Sequence, residues 1–69
     1  MNVNLPTLYS VEAVILLPGH SPAESHVHLA YTDQHSERSA LLIPFLAAMQ
    51  LLQELERVRL EAEFEFPKL

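Results

Sequence analysis

Hydrophobic and polar residues change their rhythm four times along this chain. Through "SVEAVILLP", residues 10–18, β-branched and aliphatic residues dominate on both sides of the chain, and the run stops at the turn formers "PGHSP". This pattern predicts a strand covered on both faces, followed by a loop. "SHVHLAYT", residues 25–32, alternates more cleanly. Val27, Leu29 and Tyr31 fall on one side and His26, His28, Ala30 and Thr32 on the other, the mark of a half-exposed strand. The polar "DQHSE" that follows is a turn, and such short connections predict an antiparallel meander.

"RSALLI", residues 38–43, fits either a third strand or the first turns of a helix capped by Ser36 or Ser39. Pro44 favours the strand. In a helix interior proline loses a hydrogen bond and clashes with a carbonyl, at about 3 kcal/mol. At a helix start it costs little, and it biases the preceding residue, Ile43, towards the β region. The expectation is a strand to Ile43 and a helix from Pro44, although Ile43 is a poor N-cap. From there to Arg57, Ala48, Leu51, Leu52, Leu55 and Val58 form one stripe at helical spacing. No ladder of charge pairs is expected on this helix, so the stripe is what would hold it.

The rhythm changes again in "VRLEAEFEF", residues 58–66, where apolar and charged residues alternate without a break. A continued helix would place Arg59 and Glu63 in the apolar stripe and carry Leu60 and Phe64 out of it. A shift of period from 3.6 to 2 predicts a final strand, ended by Pro67. The expected fold is one α+β domain over residues 1–69, of order β-β-β-α-β. Its amphipathic helix would pack on one face of a small antiparallel sheet.

Composition adds a constraint. A chain of 69 residues with 49% apolar content and no cysteine has neither disulfides nor thiolate zinc sites to support a small core. A homodimer is the simplest way to cover its apolar surface. Leu52, Leu55, Val58, Leu60, Phe64 and Phe66 are the expected core or dimer contacts. Leu46 and Met49 lie off the main stripe and offer a second apolar face to a partner.

The formal net charge is −5, with only Arg38, Arg57, Arg59 and Lys68 as cations. Direct nucleic-acid binding, which needs clustered Lys and Arg on the phosphates, is not expected. An acidic surface suits a basic partner. On a strand, Glu61, Glu63 and Glu65 would share one face at spacings of about 6.6–6.8 Å, a row able to dock Arg and Lys side chains. The alternatives for that row are a solvated face and a guard against edge pairing.

The four histidines, His20, His26, His28 and His35, fall within 16 residues. His26 and His28 share a strand face and are the candidate metal ligands, but their spacing matches no zinc signature. A single glycine excludes a phosphate-cradling loop, and no nucleophile elbow is present, so neither an enzyme nor a cofactor is expected. The opening "MNVNLPTLYS" lacks the positive segment of a signal peptide, and the longest apolar run is 13 residues. A spanning helix needs about 20, so a soluble cytoplasmic protein is expected, without a membrane partner.

In length, in the acidic "EAEFEF" segment and in its expected strand–helix–strand layout, the chain resembles the small phage-encoded anti-activators that block a host quorum-sensing transcription regulator. The resemblance implies a homodimer in the host cytoplasm that binds the regulator's DNA-binding domain and acts as its inhibitor. It also implies a second host partner, such as a pilus motor ATPase. The other reading of the residues is a structural or assembly dimer with no inhibitory role, and a histidine metal-binding module is a third.

Overall fold

The computed structural model describes residues 5–67. Three strands come first: β1 (Leu8–Leu17), β2 (His26–Asp33) and β3 (Arg38–Pro44). One helix follows, α1 (Phe45–Glu65). The sheet is an antiparallel meander in the order β1-β2-β3. The three strands and the helix start agree with the sequence reading to within a few residues. The ambiguous "RSALLI" is strand, and Pro44 stands at the N-cap of α1.

The register sorts the side chains into two faces. Val14 pairs with Leu29 and Leu29 with Leu41; Leu16 pairs with Val27 and Val27 with Ile43. With Val11 opposite Tyr31, these residues make one sheet face almost wholly apolar. The other face is mixed: His26, His28, Thr32 and Arg38 share it with Ile15, Leu17 and Leu42, which are exposed as well. Two irregularities, between Leu8 and Ser10 and between Val11 and Ala13, insert Tyr9 and Glu12 as extra residues in the edge strand. Such bulges twist an edge and re-aim its side chains. The Glu12 carboxylate accepts from the Thr32 hydroxyl and lies 3.6 Å from the Arg38 guanidinium, so it links all three strands.

Two tight connections fix the meander. In the β2–β3 turn, Asp33 Oδ1 accepts the backbone N–H groups of His35 (2.8 Å) and Glu37 (3.0 Å). Ser36 sits there at φ 63°, the left-handed region that costs a residue with a Cβ about 1–2 kcal/mol. The β1–β2 connection folds around Ser25, the one buried residue among those described. Its Oγ accepts the Gly19 N–H (2.9 Å) and donates to the Ser21 carbonyl (2.8 Å). A short 3-10 turn, Pro22–Glu24, completes the connection. The Phe45 N–H then donates to the Ser25 carbonyl (2.9 Å), tying the start of α1 to this knot. Gly19 passes so close that a Cβ there would lie 2.5 Å from the Glu24 carbonyl oxygen.

Three expectations are overturned. Residues 58–65 are the last turns of α1, not a strand, so the order is β-β-β-α. β1 is not covered on its two faces, since all ten of its residues are exposed. The helix also does not cover the sheet. It touches the Pro22–Glu24 turn, β2 and β3 only sparingly, and no residue of α1 is buried. Leu52, Leu55, Val58, Leu60 and Phe64 are exposed on it, and Phe66 is exposed at its C-cap. Helix propensity explains the first correction, since Arg, Leu, Glu and Ala are all strong helix formers. Alternation carries strand information only where a neighbouring strand is there to pair. The free edges of the sheet are β1 and β3, and residues 58–65 pair with neither, because α1 runs on to Glu65 without a turn.

Ser25→Ala should lower stability by about 1–3 kcal/mol by stranding the Gly19 N–H and the Ser21 carbonyl. Gly19→Ala should cost a similar amount through overpacking, about 1–3 kcal/mol. Thermal unfolding at fixed protein concentration reads both; unchanged melting would mean the knot is not formed. Backbone donors and the nearby His35 hold the Asp33 carboxyl below its ordinary value of 3.8, with the Glu37 N–H the largest cause. A depressed carboxyl adds stability that is complete above the unfolded value and lost as pH falls through the folded one. Asp33→Asn should therefore lose stability at pH 7 and show a smaller further loss between about pH 5 and 2 than the native chain. Acid titration of unfolding compares the two.

Candidate functional site

Helix α1 holds most of the residues singled out for partner binding, and its helical form rearranges them. Residues two apart on a helix are about 200° apart around the axis. Glu63 therefore points away from Glu61 and Glu65, and the single row of three carboxylates does not exist. Glu61 and Glu65 instead share a face with Glu54, while Glu63 lies beside Glu56 on the opposite flank.

Each flank is organised by one arginine. Arg57 bridges Glu54 (3.7 Å) and Glu61 (2.9 Å), and Arg59 bridges Glu56 and Glu63 (both 3.1 Å). These are the three- and four-residue spacings at which helix side chains meet, so α1 has the charge ladder that the sequence reading did not expect. The acids beside Arg59, Glu56 foremost, raise its pKa above the ordinary value. Five carboxylates against two guanidiniums leave the helix with a net charge of −3. The signal was present in the sequence as E-x-x-R-x-x-x-E, twice, offset by two residues: Glu54–Arg57–Glu61 and Glu56–Arg59–Glu63. The strand-like alternation masked it.

Between the flanks run two apolar rows. One is Ala48, Leu51, Leu55, Val58 and Ala62, with Leu52 at its border. The other holds Leu46, Met49, Leu60 and Phe64, so Leu60 and Phe64 leave the first stripe only to extend a second one. Phe64 is 90% exposed, and Leu60 and Phe64 line a shallow hollow of about 290 Å³ with Glu63. Apolar rows on both sides of a helix that touches the sheet only sparingly make α1 a surface for association rather than an arm of a core.

The whole chain shares this character. A compact monomer of 7.8 kDa should expose about 4,400 Å², whereas 6074 Å² is accessible here, a surplus of about 1,700 Å². The radius of gyration is 14.7 Å, against about 11 Å for a compact chain of this length. The apolar sheet face contributes: Val11, Val14, Leu16 and Leu41 are all exposed.

The other candidate chemistry is sparse. His26 and His28 share one sheet face, between Leu17 and Ile15 of β1 and Pro44 and Leu42 of β3. Among the described residues, no three His, Asp or Glu side chains come together in a way that would hold a metal ion. A hollow of about 330 Å³ bordered by Leu16, His20, Pro22 and Phe45 is the outer wall of the Ser25 knot. Among the described residues, no helix is long and apolar enough to cross a membrane. Comparison with protein-family models, with curated proteins and with solved structures gives no match.

The arginine pairs make a checkable statement about α1. Arg57→Gln with Arg59→Gln should reduce helical circular dichroism and leave residues 54–65 exchanging amide protons faster than in the native chain. Equal helicity in the double variant would show that packing alone, not the ladder, holds these turns.

Proposed function

We propose that the chain is a small, acidic, self-associating protein that works by docking rather than by catalysis. It pairs with a second copy and presents the carboxylate flanks of α1 to a basic surface on another protein, whose activity it blocks. The observation that carries this reading is the joint one on α1: unburied apolar rows that call for a protein partner, edged by carboxylates that favour a cationic one. A DNA-binding domain fits the description of the target, because its phosphate-contacting face is rich in Lys and Arg. The resemblance to phage anti-activators points the same way, to a host transcription regulator met in the host cytoplasm. Its length and acidic segment stand, while its strand–helix–strand layout gives way to β-β-β-α.

A second reading, a non-inhibitory assembly module, draws on the sheet. Its apolar face has no acids along Val14, Leu16, Val27 and Leu29, so contacts there would be insensitive to charge. The two readings separate in one experiment. Light scattering should give twice the 7.8 kDa chain mass. Affinity capture from bacterial lysate should return a DNA-binding protein whose retention weakens about tenfold or more in Glu61/Glu65→Gln, and falls with added salt. Capture unaffected by these changes but lost in Val14→Asp would favour the assembly module.

A further inference from the structure

We infer that two copies of the chain join through parallel pairing of their α1 helices along Ala48, Leu51, Leu55, Val58 and Ala62. This rests on the self-associating reading above and specifies its geometry.

The spacing along this row is three, four, three, four, the repeat of a coiled-coil seam. Leu51, Leu55 and Val58 are each about half exposed (47%, 53% and 46%), and the small Ala48 and Ala62 bound the row. The next core position would be Glu65. There two carboxylates would face one another across the axis, which ends the seam inside the helix.

Charge selects the direction. The positions flanking the seam are Glu54 and Glu61 on one edge and Leu52 and Arg59 on the other. In a parallel pair, a residue of the first edge meets the residue five places later on the second edge of the other helix. That juxtaposes Glu54 with Arg59 of the other copy, twice by symmetry. In an antiparallel pair like edges face each other, and the first edge then opposes carboxylate to carboxylate. Arg59 is already held upright by Glu56 and Glu63 of its own helix, so little side-chain freedom is lost in meeting Glu54.

The chain exposes about 1,700 Å² more than a compact monomer of its mass, and a helix pair covers part of that surplus. The second row on α1, Leu46, Met49, Leu60 and Phe64, is left on the outer side of the pair, available to another protein.

The chain has no cysteine, so a single engineered thiol is a clean reporter. In a parallel, in-register pair each core residue faces its own copy within disulfide reach. Mild oxidation of Val58→Cys should convert most of the protein to a covalent dimer, and Leu51→Cys should do the same if the first variant folds poorly. Leu60→Cys, on the outer side, should remain largely monomeric on a non-reducing gel. Glu54→Arg, which sets a cation against Arg59 of the other copy, should raise the dimer dissociation constant about three- to tenfold. If the native chain scatters as a dimer but Val58→Cys and Leu51→Cys cross-link no faster than Leu60→Cys, this pairing is wrong and self-association stands. A native mass of one chain would remove both.

Discussion

The backbone hydrogen-bond ladder of the meander is what the rest of this structure depends on, because side-chain burial within one chain supplies so little. Among the described residues only Ser25 is buried, and it is polar. A three-stranded sheet with one face open is marginal in water unless something packs on it. Here the strands are held by their pairing, by the Asp33 turn, by the Glu12–Thr32–Arg38 link and by the Ser25 knot. All of these are polar or backbone interactions near the surface, each worth little net against water. The apolar half of the composition is therefore not spent inside the chain. It lies on both sheet faces, most densely on one, and on two rows of α1, where it is free to act between molecules.

The Ser25 knot has a consequence beyond its own stability. By accepting the Phe45 N–H it fixes where α1 leaves the sheet. Pro44 acts at the same point, ending β3 and starting the helix without a loop. A helix that folded back over the sheet would need a reversing connection, and the chain has none between β3 and α1. The same local chemistry that makes the meander compact thus leaves the helix uncovered. The arginine ladders then let α1 persist to Glu65 despite the lack of a packed face.

Several of these features were legible in the residues. The three strands, their antiparallel order and the helix start follow from alternation, turn chemistry and one proline, all of which act over a few residues. The exposed helix could be read only in part. Val58, Leu60, Ala62, Phe64 and Phe66 alternate with charges, and that pattern suits a strand as well as a helix with two apolar rows. Glu61, Glu63 and Glu65 consequently looked like one docking row, whereas they divide between two flanks. The deciding signal, two overlapping glutamate–arginine–glutamate ladders, is as local as the alternation and pointed the other way.

The sequence by itself determined the local conformations, the acidic character and the excess of apolar residues over what so short a chain can bury, because each depends on composition or on neighbours within a few positions. Only the tertiary structure decided that α1 touches the sheet sparingly and which apolar rows stay open. Those outcomes turn on how the chain leaves β3, a fact of three-dimensional placement that no periodicity along the chain encodes.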